Sequence, residues 1–318
     1  MTQLSPAFRA LSARLGQDPL QVQGAGGNTS FKDGAVMWIK ASGTALADAE
    51  TKDIFVAVHH AQAKAEAEGA GDGTCKATVV DPEVTLRPSI ETTFHALLDW
   101  RVVAHTHSVA TIVHAISPEG RRAALDKLSD LPVAMIPYRK PGLPLTQAIA
   151  AEITAQTQVL ILQNHGLVCA GDSVEDVADL IAEVERRLHL PALTPTLPAP
   201  SVAPPQGYVW LTEATAMAQD DRLRSLALGG SYYPDHVVFL GPALTTEPGG
   251  VAVLTDTGLA LRADATAAQT AMAHCVNDVL CRLPDDWQVV PIGPDAEAEL
   301  LDWDAEKYRQ ALAAKASS

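Results

Sequence analysis

The sequence predicts a layered α/β/α domain built on a central, mostly antiparallel sheet, followed by a smaller α+β domain. Two short β-forming runs separated by Asp33-Gly34 are typical of a hairpin, because Asp-Gly suits the tight turn between antiparallel strands. An apolar stripe at helical spacing after Ser173 predicts a long helix packed on the sheet. Between the two parts the chain is rich in proline, a composition that favours an extended linker. We therefore place the domains at residues 1–195 and 207–318, with a linker over 196–206.

The elements of the first domain follow from apolar periodicity and from capping residues. An amphipathic helix opens the chain and precedes the hairpin. Ser173 is a plausible N-cap, because Asp176 stands three residues after it. The other elements expected in this domain are a helix over 54–68, a helix over 89–99, a strand leading into His105, a helix beginning near 110 and a strand over 159–162.

The second domain is expected to mix short strands with longer helices. Apolar runs predict strands over 237–240 and 251–255, and a helix over 264–283. A terminal helix is expected to include Trp303, Tyr308 and Arg309.

Composition limits the classes of partner. The formal net charge is −15, whereas nucleic acids and anionic membranes attract proteins with basic surfaces, so we expect neither as the main partner. The chain opens on an amphipathic segment rather than an apolar leader and has no apolar run of about 18 residues, so we expect a cytoplasmic protein. The four cysteines lack Cys-x-x-Cys spacing, which predicts reduced, mostly buried thiols.

Three histidines, His105, His107 and His165, form the strongest functional signal. The first two end a β-forming run, and because strand side chains alternate with a period of two, both point the same way. His165 follows a second β-forming run, so a neighbouring strand can bring a third imidazole to the same point. A His-x-His pair alone is more often two ordinary strand histidines, but the set of three favours a metal site.

The number of histidines also indicates what the metal would do. Structural zinc sites usually have four protein ligands, whereas catalytic zinc has three and an open position. Since no fourth ligand is evident in the sequence, we expect a catalytic Zn²⁺. Other divalent metals, such as cobalt or manganese, also suit a site made only of histidines.

Two loops of small and polar residues are candidate anion-binding sites. Gly27, Asn28 and Thr29 lie in a glycine-rich run whose backbone N–H groups can approach an anion closely, although a tight turn is an equal alternative. Ser42 and Gly43 form a similar turn after the predicted hairpin. A dinucleotide fingerprint is not supported, because Thr29 occupies its third glycine position.

Five blocks of sequence resemble the class II aldolase/adducin family, which includes the zinc-dependent fuculose-phosphate and rhamnulose-phosphate aldolases. The resemblance covers roughly the first two thirds of the chain, with the blocks in the family's order. The blocks are GAGGNTSFKDG, WIKASGTAL, RPSIETTFH, HTH and NHGLVCAG.

The resemblance implies an aldolase that cleaves a carbon–carbon bond next to a ketone, in a ketose phosphate or a related sugar acid. A metal on the three histidines would stabilise the enediolate, and Glu91 would move a proton on and off its carbon. The glycine and serine loops, together with Ser89, would hold the substrate's phosphate. This sequence departs from the small aldolases at Ile90, where they carry a second serine.

The resemblance also implies a homo-oligomer, with a tetramer favoured, in which a tyrosine reaches the site of a neighbouring subunit. Tyr138 in IPYRKPGLPLT is the candidate, although two cations beside it make a simple surface turn equally plausible. The C-terminal part resembles, less specifically, the segment that follows the aldolase domain in longer relatives fused to a dehydrogenase. The similarity is strongest at 233–236, where Asp235 and His236 either complete a substrate pocket or, more commonly for such a pair, stabilise a loop.

Three alternatives remain at this point. The same residues suit decarboxylation of a 3-oxo sugar acid phosphate or 4-epimerisation of a pentulose phosphate. An adducin-like scaffold has no enzymatic role and need not keep metal ligands, whereas this sequence keeps all three histidines and Glu91.

Overall fold

A seven-stranded sheet forms the centre of the first part of the molecule. In the computed structural model, which describes residues 4–192, 198, 200–304, 307–308 and 312, the strands follow the order β3-β2-β1-β4-β7-β6-β5. Every neighbouring pair is antiparallel except β5 and β6, which confirms the predicted mostly antiparallel sheet. The strands are β1 (Asn28–Asp33), β2 (Val36–Lys40), β3 (Phe55–His59), β4 (Val102–Thr106), β5 (Val133–Ile136), β6 (Val159–Leu162) and β7 (Gly166–Gly171).

Helices cover both faces of this sheet. Alternation along β4 explains the two layers, because Val102 and Ala104 belong to one hydrophobic core while Val103 belongs to another. The helices are α1 (Pro6–Gln17), α2 (His60–Ala67), α3 (Thr92–Leu97), α4 (Val109–Ala115), α5 (Pro118–Lys127), α6 (Leu143–Glu152) and α7 (Val174–Leu188). Residues of α1 and α7 line the first core and residues of α3 and α6 line the second, which confirms the layered α/β/α architecture.

The predicted start of the long helix is confirmed at α7. The Ser173 side chain accepts from the backbone N–H of Asp176, whose carboxylate accepts from the N–H of Ser173 in return. This capping box satisfies two of the backbone donors that a helix start leaves unpaired. Short 3₁₀ turns occur at Leu46–Asp48, Lys76–Thr78 and Thr212–Ala214.

Within the described residues, the C-terminal part contains a three-stranded antiparallel sheet and the helices α8 to α12, followed by further helical residues from Asp304. The strands are β8 (Tyr208–Leu211), β9 (Ala252–Leu254) and β10 (Leu259–Arg262), in the order β8-β10-β9. The helices are α8 (Ala216–Gln219), α9 (Asp221–Leu228), α10 (Pro234–Leu240), α11 (Ala267–Leu280) and α12 (Pro294–Leu301). Among the helices of the described residues, none is long and apolar enough to cross a bilayer. All four cysteines are buried and free, as predicted.

The two parts share a hydrophobic core through helix α4. Val109, Ile112, Val113 and Ile116 belong to the same buried cluster as the apolar residues of α10 and α11. The backbone N–H of Val290 also donates to the carbonyl of Ile116. The C-terminal part is therefore packed directly on the helix that follows the His-Thr-His segment. The predicted boundary at residue 195 lies outside the described residues.

Two predicted elements were wrong in type. The first half of the helix expected over 54–68 is strand β3, because it pairs along the whole of β2, and α2 begins only at His60. The strand expected over 237–240 is part of helix α10, in which Pro234 occupies the first turn. All seven residues of α10 are buried, so its sequence shows no contrast between an apolar and a polar face.

Two predicted helices differ in extent. The helix expected over 89–99 is limited to α3, since residues 89–91 form a turn before it. The terminal helix expected to include Trp303 and Tyr308 follows α12 as a separate helical segment: Tyr308 is helical, whereas Trp303 lies just before that segment. Arg309 lies outside the described residues.

Candidate metal centre

Strand β4 and the turn between β6 and β7 bring the three histidines together. His105 lies opposite Val168 of β7, and the β6–β7 turn places His165 beside it. The turn reverses through Asn164 at φ 51°, a left-handed conformation that asparagine tolerates better than most residues. One ligand atom from each of His105, His107 and His165 lies within 4.8 Å of the others, and all three side chains are buried.

Hydrogen bonding fixes the orientation of His105. Its Nδ1 donates to the carbonyl oxygen of Leu167 over 2.9 Å, which leaves Nε2 facing the cluster. Metal-binding histidines are commonly held in this way, because a bond at one ring nitrogen selects the tautomer and leaves the other nitrogen free to bind.

Glu91 faces the cluster from the start of α3. Its Oε2 lies 3.5 Å from Nε2 of His105, and its Oε1 lies 3.6 Å from Nε2 of His165. Burial acts to raise the pKa of Glu91, but the neighbouring imidazoles of His105 and His165 and the amide of Asn28 outweigh it and lower the pKa to about 2. The group is therefore a carboxylate at neutral pH.

The imidazoles of His105 and His165 are neutral at the same pH. Burial lowers the pKa of His105 and brings that of His165 to about 3, against the opposing effect of Glu91. Among the buried polar atoms, Nε2 of His105, Nδ1 of His165 and Oε1 of Glu91 have no hydrogen-bond partner. Unpaired buried nitrogen atoms are costly, and a divalent cation coordinated by the imidazoles of His105 and His165 removes that cost. Neutral imidazoles that converge beside a carboxylate thus fit a divalent metal.

A chain of hydrogen bonds behind Glu91 fixes the position of its carboxylate. Asn28 donates from Nδ2 to Oε2 of Glu91 over 2.8 Å and to Oγ of Ser89 over 3.2 Å. The Oδ1 atom of Asn28 accepts from Nε2 of His95, whose Nδ1 accepts from the Ser30 hydroxyl over 2.8 Å. Burial holds the pKa of His95 well below its usual value, so the neutral ring can take both roles. The amide of Asn28 thus points at Glu91.

A cavity in front of the histidines is lined by the two loops. Gly27, Ser42, Gly43 and Ser89 line it together with Asn28, as the sequence led us to expect of an anion site. Thr29 does not lie there, since its hydroxyl is hydrogen-bonded to Ser12 of α1 on the other face of β1, at 2.7 Å.

Lys40 was missed by the sequence reasoning. It lines the same cavity, and its Nζ donates to the carbonyl oxygens of Ala25 and Gly27 over 2.9 and 3.0 Å. The available signal was its position two residues before Ser42, which puts both side chains on the same face of an extended segment.

Tyr138 does not line this cavity. Its hydroxyl is buried near Glu297 and Glu299 of α12, and burial followed by these two carboxylates raises its pKa above the usual value. Within one chain, the predicted catalytic tyrosine therefore packs beneath the C-terminal part, away from the three histidines.

Asp235 of α10 reaches the cavity from the C-terminal part. Its Oδ2 lies 3.2 Å from Nδ1 of His107, and only 2% of the residue is exposed. The sequence placed Asp235 either in a pocket or in a loop-stabilising pair with His236, and the pocket interpretation agrees with the structure. His236 is buried against Tyr232 and Tyr233.

The model of the class II aldolase and adducin N-terminal domain matches residues 9–190, which include the three histidines and Glu91. The chain belongs to the class II aldolase and adducin family. Asp235 lies outside the matched residues.

Individual relatives show the same pattern of coverage. The chain is 30% identical over 198 residues to the uncharacterized oxidoreductase YuxG of Bacillus subtilis, across 55% of this chain and 28% of that protein. This chain thus spans less than a third of that relative's length. The N-terminal class II aldolase domain of a Thermoplasma acidophilum protein is 26% identical, with a TM-score of 0.50, over 59% of this chain and 94% of that one.

A more distant similarity is to the L-fuculose-1-phosphate aldolase of Thermus thermophilus. The two chains are 16% identical with a TM-score of 0.39, over 58% of this chain and 93% of that one.

Proposed function

We propose that this protein is a metal-dependent aldolase that cleaves a ketose phosphate or a related sugar acid. The observation that supports the proposal most strongly is the convergence of three buried imidazoles and one ionised carboxylate at the end of a cavity. Membership of the class II aldolase and adducin family agrees with this chemistry.

His105, His107 and His165 would hold the metal, which we propose to be Zn²⁺. Bound there, it supplies a fixed positive charge that polarises the carbonyl of a ketol and stabilises the enediolate left by bond cleavage. A histidine binds a metal ion through its neutral imidazole, so three such ligands would leave the full charge of the cation available to the substrate.

Glu91 is the proposed general acid/base. Its Oε2 is held by the Asn28 amide, while Oε1 is buried with no hydrogen-bond partner, so one oxygen is fixed and the other is free to exchange a proton. A carboxylate with a low pKa is a weak base in the resting site, but a substrate that displaces water raises its basicity. We assign to Oε1 the transfer of a proton to and from the carbon next to the carbonyl.

Lys40 and the two loops are proposed to bind the anionic end of the substrate. Lys40 is buried beside the glycine loop and adds a positive charge to a region otherwise provided with hydroxyl and backbone N–H donors. Gly27 is required by its backbone, since its φ is 57° and a Cβ there would lie 2.9 Å from the carbonyl oxygen of His105. We assign no step to Tyr138, because α12 covers it.

The test measures two quantities: the metal content of the protein, and the exchange of deuterium into a ketol, which is half of the aldol reaction. Wild type and a His105→Ala/His107→Ala variant are purified side by side and measured by elemental mass spectrometry, and both are incubated with dihydroxyacetone phosphate in D₂O. We expect about one metal ion per wild-type subunit, as for a single site with three histidines. We also expect deuterium to enter the carbon next to the carbonyl only with wild type.

A His114→Gln variant is the matched control, since His114 is buried against Trp287 away from the cavity and its loss should change neither readout. A panel of ketose phosphates and sugar acids then identifies the substrate. If wild type neither contains nor takes up a divalent metal, the proposal fails and an adducin-like scaffold becomes the better interpretation.

A further inference from the structure

We propose that Asp235 is a positioning residue of the metal centre, supplied by the C-terminal part of the chain. Its Oδ2 lies 3.2 Å from Nδ1 of His107, and this contact would hold the other nitrogen of that ring toward His105 and His165. The inference rests on the proposed metal centre and adds to it a residue from outside the family-matched region.

The contact is specific to one imidazole. Oδ2 of Asp235 lies 3.2 Å from Nδ1 of His107. His105 makes the equivalent contact at its own Nδ1 with the carbonyl oxygen of Leu167. Two of the three rings therefore have an acceptor at Nδ1, which is the arrangement that fixes metal-binding histidines.

Gly26 leaves room for this contact. A Cβ at Gly26 would lie 2.8 Å from Nδ1 of His107 and 3.0 Å from its Cε1, closer than side chains pack. A larger residue would push the ring out of place, so the glycine loop and Asp235 together define where the imidazole of His107 sits.

The helix that carries Asp235 is held firmly against the metal-site loops. Every residue of α10 is buried. The Nδ2 atom of Asn164, next to His165, donates to the carbonyl oxygens of Tyr232 over 3.0 Å and Val290 over 2.8 Å. The segment just before Asp235 is therefore bonded to the turn that presents the third histidine.

The burial of the carboxylate also favours a role at a cationic site. A carboxylate that is 2% exposed is costly unless it is paired, and a ring whose other nitrogen binds a cation is a stronger hydrogen-bond donor than a free one. Binding of the metal and the His107–Asp235 contact should therefore reinforce each other.

The experiment measures metal affinity rather than turnover. Wild type, Asp235→Asn and Asp235→Ala are stripped of metal, and Zn²⁺ is titrated into each in competition with a chromophoric chelator. The same proteins are loaded with Co²⁺, whose visible absorption reports the geometry of its ligands. Loss of a bond that orients a ligand histidine typically weakens metal binding by about 10–100-fold. We expect the alanine variant near the upper end, and the asparagine variant, whose amide oxygen still accepts, near the lower end.

Tyr232→Phe is the matched control, because it removes a buried hydrogen bond to the Leu226 carbonyl in the same segment and keeps the ring that packs on His236. We expect it to lower the melting temperature and to leave Zn²⁺ affinity and the Co²⁺ spectrum unchanged. Wild-type Zn²⁺ affinity in both Asp235 variants would overturn the inference and leave the metal centre standing. Absence of Zn²⁺ binding in wild type would instead overturn the proposed function. The asparagine variant keeps the shape of the side chain, so the test remains decisive if the alanine variant does not fold.

Discussion

The two parts of this molecule differ in how much polarity they bury. The family-matched part encloses the buried charged residues Lys32, Lys40, Glu66 and Glu91, together with several histidines. Within the described residues of the C-terminal part, the buried polar side chains are Thr215, Ser231, Asp235 and His236. Asp235 is the charged member of that set, and its carboxylate is in contact with a histidine of the first part.

This difference means that the two parts do not carry the same free-energy cost of burying their side chains. Buried charges cost free energy unless they are paired, so a core that encloses many of them carries a cost that a purely apolar core does not. The C-terminal part behaves as an apolar support with one polar contact at its border. Part of the buried polarity of the first part surrounds the three histidines, where Asn28, Ser89 and Glu91 are buried.

The largest expected effect is at the carboxylate of the first part. Glu91→Gln keeps the shape of the side chain but cannot move a proton, and general acid/base catalysis is typically worth about 10²–10⁴-fold in rate. We expect deuterium exchange into dihydroxyacetone phosphate to fall by that factor while the metal content stays at the wild-type level.

The contrast with Asp235→Asn sharpens the comparison between the two carboxylates. Both variants replace a buried acid with its amide, yet only the Asp235 change should weaken Zn²⁺ binding. If Glu91→Gln instead lost its metal and kept its exchange rate, the roles of the two carboxylates would have to be reversed.

A smaller effect is expected from the buried cation of β1. Burial lowers the pKa of Lys32 to about 7, with Asp99 opposing and Lys64 adding to the shift. Because the folded pKa lies below the unfolded value of 10.5, the unfolded chain binds the extra proton between these limits, so this residue costs stability at neutral pH and less as pH rises.

Lys32→Met should therefore stabilise the protein at pH 7 by about 1–4 kcal/mol, as replacements of buried ions by apolar residues often do. The gain should shrink toward pH 10.5 when free energies of unfolding are measured by denaturant titration at several pH values. Lys52→Met is the control, because that side chain is exposed and should give a small, flat difference. A gain that grows with pH would show that Lys32 does not titrate as described.

The smallest expected effect probes the border between the two parts. Asn164→Gly keeps the backbone at φ 51° without strain and removes only the amide that bonds Tyr232 and Val290. Leaving two buried carbonyls with one partner fewer should cost about 1–3 kcal/mol in the free energy of unfolding.

Differential scanning calorimetry checks this, and we expect one cooperative transition at a lower temperature. Asn164→Ala should lower it further, because alanine at positive φ adds backbone strain. Two separate transitions in wild type would break the comparison, since they would mean that the parts unfold independently.

The sequence was sufficient to predict the histidines and Glu91 as one site, since strand periodicity determines which side chains share a face. His105 lies on β4 and His107 directly follows it, so the two-residue spacing places both side chains on the same side of an extended segment. The layered architecture was predictable for a similar reason. The apolar residues of α7 recur at helical spacing on one face of the helix, and that face is buried when the helix packs on the sheet.

Other features depend on contacts that no local pattern encodes. Asp235 meets His107 only because α10, whose type was mistaken for a strand, packs across from the β6–β7 turn. The role of His95 depends on a hydrogen bond to Asn28 from a different element, and the covering of Tyr138 depends on where α12 lies. Residues far apart in sequence do not belong to one repeating pattern, so periodicity does not predict which of them are in contact.

Helix α4 makes this protein hard to divide. Its residues Val109, Ile112, Val113 and Ile116 are buried by side chains that follow the proline-rich stretch, so a fragment ending at residue 192 would expose that apolar surface to water. Such a fragment should aggregate in spite of containing the whole family-matched region. Anyone who exchanges C-terminal extensions between relatives would have to transplant the facing side of α4 with them. A segment that is moved between relatives and still folds therefore has to include residues on both sides of the proline-rich stretch.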